Sequence, residues 1–439
     1  MKKLFSPVIV AFALLSGLLL ASCSGDKTAD AADILATIPS DASAVAVFNT
    51  GAILEKSGCK IDGAAITPSD EATAAVARIR NAEIRKLVQN VLSGKSGVNP
   101  SVAVVFRQGY YNYLTGMLST PADFKAMAEA ELGAKFVASE GVETAGNVAV
   151  ADERFWINID QHAIDVNDIR HFISLDRQQS FLSNKFADRM SEVKKDVEGW
   201  GNISGIINTL DLGFQERATA QIALQTLFED PQSISFSAEI KKNELKAEAS
   251  VLDSKGGVAK YQLTPGKIDV NTVNSLGGDA VWLAAVDIPA KMVAELKKQT
   301  DSKSPSMLGI VLGSMGSVDG TAAFALGQTG RGVISTDGRD SSALSNMLSQ
   351  VGMKVEKQGQ QLRVSFADTG RAADMAPVSQ LAAGLDGAVA GIATHFGPGN
   401  PFKAGATVTL TLNRQGKGLG VNLMLVSADK NENLLFCLL

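Results

Sequence analysis

The chain has little of what most catalytic and metal-binding proteins use. Among 439 residues there are three cysteines, three histidines and four tyrosines, and aromatics make up 6%. Three cysteines exclude a disulfide scaffold and a four-cysteine zinc site. Three histidines leave little for His-rich metal chemistry. No excess of base is present either. The 41 basic and 46 acidic residues give a net charge of −5, which argues against a phosphate-binding face for nucleic acid. After the first 23 residues no apolar run approaches the 18 of a membrane-spanning helix.

What is present first is an address. Lys2 and Lys3 precede an apolar stretch, Leu4 to Leu20, interrupted by Ser6, Pro7, Ser16 and Gly17. That is the layout of an export signal. It ends in Leu20-Ala21-Ser22-Cys23, which resembles the lipobox of bacterial lipoproteins. The resemblance implies cleavage before Cys23 and acylation of it, giving a 1–22 signal peptide. Several acyl chains make a durable anchor. Small polar residues over 23–33 predict a flexible tether. Ser24 rather than Asp after the cysteine points to the outer membrane facing the periplasm, with the cell surface as the alternative.

The body reads as one unit written twice. Asp41–Asn49 matches Asp279–Asp287 at an offset of 238. Asn49 and Asp287 are expected to cap following helices. Strands near 102–107 and 321–326 follow at an offset of 219, and 148–152 matches 364–368 at 216, pairing Asp152 with Asp368. Between them lie helices, one starting at Thr120-Pro121 and stopping at Gly133, the other carrying Leu344, Met347 and Val351. The last match holds throughout at 174. Ile234, Phe236 and Ala238 alternate with polar residues, turn near Asn243, and resume at Leu245, Ala247, Ala249 and Val251. Val408, Leu410, Leu412, Leu419, Val421, Leu423 and Leu425 repeat the pattern about Gly416. Period-two alternation around a turn predicts a hairpin with one buried face.

The expected class is α+β: two tandem, duplicated domains of mainly antiparallel sheet with packed helices, at 34–260 and 274–439, joined by a linker near 253–274. Two helices are expected only in the first copy. One starts at Thr67 and carries Val76, Ile79, Leu87, Val88, Val91 and Leu92. The other carries Leu182, Phe186, Met190, Val193 and Val197.

Motifs of chemistry are sparse. Gly94-Lys95-Ser96 lacks the glycine five residues earlier that a phosphate loop needs, since position 89 is Gln. Ser57/Lys60 is one of three Ser-x-x-Lys spacings, a frequency that points to chance. Asp160, His162, Asp165 and His171, with Asp168, form a carboxylate–imidazole group. Such a group transfers protons or binds a divalent metal, or simply turns a polar loop into a helix. Tyr110, Tyr111, Tyr113, Trp156 and Trp200 gather aromatics in the first copy. They suit either a binding surface or ordinary strand packing. Cys59 and Cys437 pair after export or remain separate buried thiols.

Short stretches resemble a known family. Behind the lipobox come Ile38-Pro39-Ser40-Asp41-Ala42, then Leu54-Glu55-Lys56-Ser57-Gly58. Further on come Phe186, Lys194-Lys195-Asp196-Val197 and Trp200. These resemble the uncharacterised Bacteroidota lipoproteins of domain-of-unknown-function family 4836. The resemblance implies an envelope location and a duplicated α+β architecture, and no activity. The expected protein is therefore a non-enzymatic, lipid-anchored envelope protein. It needs no cofactor, metal or nucleic acid. It binds a protein partner, a glycan or other envelope polymer, or a small ligand. The alternatives are a hydrolase with its site near Asp160–His171 and a purely structural envelope component.

Overall fold

The computed structural model describes residues 29–434 apart from 63–64, 78–84, 86–88, 90–96, 108–111, 193, 210–212, 302–312, 369–373 and 400–401. One 18-stranded sheet organises the chain. Its strands are β1 (Ala44–Asn49), β2 (Val98–Phe106), β3 (Tyr113–Leu118), β4 (Val137–Ser139), β5 (Val142–Ala145), β6 (Val148–Ala151), β7 (Arg154–Asn158), β8 (Val197–Asn202), β9 (Ser233–Lys241) and β10 (Glu244–Leu252). The second half supplies β11 (Trp282–Ile288), β12 (Val318–Leu326), β13 (Thr329–Thr336), β14 (Lys354–Gln358), β15 (Gln361–Asp368), β16 (Ala390–Phe396), β17 (Ala406–Gln415) and β18 (Gly418–Ser427).

All pairings are antiparallel. The first half runs β4-β5-β6-β7-β3-β2-β1-β8-β9-β10. The second runs β14-β15-β13-β12-β11-β16-β17-β18. From β6 to β10 and from β14 to β18 the order is the same. Strands β10 and β18 then pair edge to edge, so each half covers the other's open edge. This is the α+β fold expected from the alternation and tight turns.

The pairing also corrects two of the matched segments. Phe106 pairs with Ala44 and Leu326 with Trp282, which sets β2 against β12 at 220 rather than 219. Val148 pairs with Ile157, and Val355 with Val364. The hairpin β6–β7 therefore corresponds to β14–β15 at 207. Asp152, in the turn of the first hairpin with φ 46°, matches Gly359 with φ 60°, not Asp368. Similar apolar runs occur on neighbouring strands, and only hydrogen bonding distinguishes them.

Helices layer both faces of the first half. One face buries Ala46, Phe48, Val102, Val104, Leu114 and Phe155 under α2 (Thr50–Lys56), α3 (Asp70–Ala77) and α4 (Pro121–Leu132). The other buries Val45, Val47, Ala103, Val105, Tyr113 and Trp156. It lies under α1 (Ala29–Ala36), α5 (Val166–Ile173) and α6 (Ala187–Ser191). Fully burying one such side chain contributes about 1.5–3 kcal/mol. Two helices, α7 (Ile203–Thr209) and α8 (Phe214–Leu227), connect β8 to β9. In the second half, α9 (Val270–Asn274) and α12 (Val378–Ala383) cover Leu283, Ala285 and Ala323. On the opposite face α11 (Ser342–Gln350) packs on Ile334 and Leu362, while α10 (Ala290–Asp301) follows β11.

Local rules hold in several places. Asn49 caps α2, its Oδ1 accepting from Ala52 N at 3.0 Å. Pro121 opens α4 and Gly133 closes it at φ 63°. Asp287 does not cap. It lies buried in β11, accepting from Thr321 Oγ1 at 3.0 Å, and Asp319 accepts from Ala290 N at the start of α10 instead. The helix expected through Leu182–Val197 is a 3-10 turn, Phe181–Ser183, then the five-residue α6, with Val197 already in β8. Of the helix expected after Thr67, residues 70–77 are helical. Ile79, Leu87, Val88, Val91 and Leu92 lie outside the described residues.

Candidate functional site

Tyr113 and Trp156 are fully buried. The Tyr113 ring stacks on Phe172 at 5.3 Å between sheet and α5. Both side chains pack inside the core, the strand-packing role that their sequence pattern also allows. Trp200 is half-buried, edge-on to Phe181 at 5.5 Å. Tyr110, Tyr111, Cys23 and Cys437 lie outside the described residues. Cys59 is a buried free thiol 3.2 Å from Ser57 Oγ.

The Asp–His group has structural work to do. Asp160 Oδ2 accepts from Asn112 N at 2.9 Å and from Asn112 Nδ2 at 3.3 Å. Asp165 caps α5 through Asn167 N at 2.9 Å. His162 and His171 are exposed. Among the described residues no group of three or more His, Cys, Asp or Glu is placed to hold a metal.

Convergent polar groups occur instead at the seam, on strands whose alternation was noted for its apolar side only. Ser235, Ser237, Lys246, Glu248 and Ser250 face away from Phe236, Ala247 and Ala249. Cross-strand pairing builds one row, Glu198–Ser237–Glu248–Asn422. Residues directly opposite in antiparallel strands point to the same side. Arg189 of α6, the serines 235, 237 and 250, Glu248 and Gln415 line a cleft of about 310 Å³. Phe186 and the turn Gly256–Val258 form its sides.

Beside Arg189, outside the residues that line the cleft, lies Glu198, whose side chain is 3% exposed. Burial pushes its carboxyl above the ordinary carboxylate range, while Arg189 opposes that shift. Arg189 Nε lies 4.0 Å from Glu198 Oε2, and the guanidinium sits 5.1 Å over the Phe186 ring. Glu198 Oε2 and Asn422 Oδ1 are buried without a hydrogen-bond partner. Glu248 pairs with Lys246 at 2.8 Å, and Ser250 Oγ donates to Gln415 Oε1.

A second cavity, of about 190 Å³, lies between α7 and the apolar face. Ala44, Ala46, Phe106, Ile206 and Phe236 line it. A Cβ on Gly199 would stand 2.0 Å from the Phe236 ring, so that ring occupies the space a side chain would take.

No protein-family model matches the chain, and no curated protein does. Among solved structures it is similar to crystal form I of TP0453, with 11% identity and a TM-score of 0.31, over 80% of this chain and 96% of that one. Crystal form III gives 11% and 0.31 over 82% and 97%. At that score the likeness carries no functional argument.

Proposed function

We propose that this chain is a lipid-anchored cell-envelope protein, held by an acylated Cys23 and facing the periplasm. On this reading it binds a small polar ligand or a glycan and catalyses no reaction. The body is one unit used twice, as in the lipoprotein family it resembles. The shared strand order of the two halves supports that history.

One observation carries the binding reading. The seam cleft gathers the guanidinium of Arg189, the carboxylate of Glu248, the hydroxyls of Ser235, Ser237 and Ser250 and the amide of Gln415. A few convergent polar side chains in a cleft are what fixes the orientation of a bound small molecule. Among the described residues no helix is long and apolar enough to cross a membrane.

Two experiments test the reading. Replacing Cys23→Ala is expected to move the protein from the membrane to the soluble fraction; unchanged membrane association would refute the anchor. In full-length protein solubilised in detergent, amide signals of residues lining the cleft are expected to shift on addition of glucose or maltose, and Ser237→Ala is expected to suppress that shift. A ligand that binds without touching those signals would place the site elsewhere.

A further inference from the structure

We propose that the cavity between α7 and the apolar face of the sheet is a second binding site, independent of the seam cleft, and that it takes the tail of a single-chain aliphatic lipid.

The lining decides the class. Ala44 and Ala46 of β1, Phe106 of β2, Phe236 of β9 and Ile206 of α7 form the walls of this cavity of about 190 Å³. Ser43 brings the one polar side chain of the lining, and no charged one takes part. The backbone of β1 is already paired on both sides, with β8 and β2. A water held in a cavity needs two to four polar partners, and one hydroxyl does not supply them. An apolar cavity of about 150 Å³ lined by Leu, Ile and Phe stays dry and binds benzene; this one is somewhat larger. With no charged side chain in the lining, a ligand's head group stays outside.

The shape selects a chain over a ring system. Gly199 pairs with Ala46 and Phe236, and Gly201 pairs with Ala44, so large side chains on β2 and β9 flank small residues on β1 and β8. A Cβ on Gly199 would stand 2.0 Å from the Phe236 ring, and one on Gly201 would stand 2.6 Å from Ile206 Cδ1. The ring and the isoleucine thus lean over β8, and the open floor narrows to β1. One strand spacing is about 4.8 Å, comparable with the thickness of a methylene chain. The roof is fixed. Asn202 Oδ1 accepts from Gly205 N at 3.2 Å, and Ile203 and Ile207 are buried. Gly205 lets α7 lie close on β1, since a Cβ there would stand 2.8 Å from Ser43 Cβ. Phe106, Ile206 and Phe236 are half-buried, so the trench opens to solvent between them. At about 30 Å³ for each water-sized group, it holds about six methylenes.

Calorimetric titration of full-length protein with butanoate, hexanoate, octanoate, decanoate and dodecanoate tests the site. The protein is solubilised in a bile-salt detergent, which has no alkyl chain to compete. Each added methylene is expected to tighten binding about fourfold, the worth of one buried CH₂, with levelling near octanoate as the trench fills. The Ile206 methyl NMR signal is expected to shift on addition of octanoate. Ala44→Leu, which fills the floor, is expected to weaken octanoate about tenfold or more, as two or more methylenes are displaced, and to bring the levelling to a shorter chain. Ile206→Ala, which opens the roof, is expected to move it to a longer one. Far-UV circular dichroism verifies folding, and opposite shifts from the two variants cannot arise from general loosening. If toluene shifts the Ile206 methyl and no alkanoate does, the aliphatic class is wrong. Affinity that rises alike through dodecanoate in all three proteins places the chain elsewhere and overturns the site. No binding by any alkanoate refutes the proposal and leaves the seam cleft untouched.

Discussion

Glu248 and Asn422 stand directly opposite each other where β10 meets β18. They also occupy corresponding positions in the two hairpins. Ser237 pairs with Glu248, and 174 residues on Thr411 pairs with Asn422. The seam thus joins equivalent strands at equivalent residues, the arrangement of an isologous two-fold interface inside one chain. Replacing Asn422→Glu would set two carboxylates face to face. Urea denaturation is expected to show a loss of about 0.2–1 kcal/mol, larger at low salt. Asn422→Lys should leave stability level or raise it. Equal effects from both would mean that charge at the seam is immaterial.

Glu198 makes stability depend on pH in a defined direction. Its folded carboxyl titrates above the ordinary value of 4.5 because burial disfavours the charged form. From 4.5 upward the native state therefore holds more protons than the unfolded chain. Stability from this group is fullest below that pH and falls as pH rises through the folded value. Glu198→Gln removes the dependence. The wild-type curve minus the variant curve is expected to slope downward with rising pH above 4.5. Asp287, raised from 3.8 chiefly by burial, predicts the same sign for Asp287→Asn. A difference curve rising over this window would contradict the assignment.

Asp196 ties three segments. Both its oxygens accept from Lys56 Nζ at 2.7 Å, and Oδ2 also accepts from Ile240 N at 2.5 Å. The carboxylate is 2% exposed. Asp196→Ala strands a buried backbone N–H and an ammonium 35% exposed. A loss of about 2–3 kcal/mol is expected, read as a drop in thermal midpoint. Asp196→Asn keeps an acceptor for Ile240 N and should lose less. Equal losses would show that charge alone matters.

Gly199 lies beneath the Phe236 ring, and a Cβ there would stand 2.0 Å from it. Gly199→Ala is expected to cost about 1–3 kcal/mol by overpacking. The double variant Gly199→Ala/Phe236→Leu should lose less than the two single losses added together. Simple additivity would show that the glycine is not needed for the ring.

Sequence reading succeeded where structure is local. The hairpins at 234–251 and 408–425 are written in period-two alternation, and the pairing keeps the 174 shift throughout. Pro121 and Gly133 bracket α4 as their backbone preferences require. It failed where neighbours decide. Leu182, Phe186 and Met190 have helical spacing, yet β8 claims the chain from Val197 because that strand fills the gap between β1 and β9. Asp287 resembles a cap in sequence, but Thr321 across the sheet takes its carboxylate.

The Leu20-Ala21-Ser22-Cys23 tetrad, the low histidine content, the mild acidity and the alternating hairpin segments are properties of the residues themselves, and the sequence determines them alone. They settle the α+β class and leave histidine chemistry little to work with. Tertiary structure decided the rest. Pairing β10 with β18 brings residues more than 170 positions apart into one row. It leaves a polar face open beside α6, and it drew Tyr113 and Trp156 into the core. Alternation shows that a strand has a polar side, but only packing determines whether that side meets a helix, water or a ligand. That is why the acceptors of Glu198 and Asn422 became visible only in the fold.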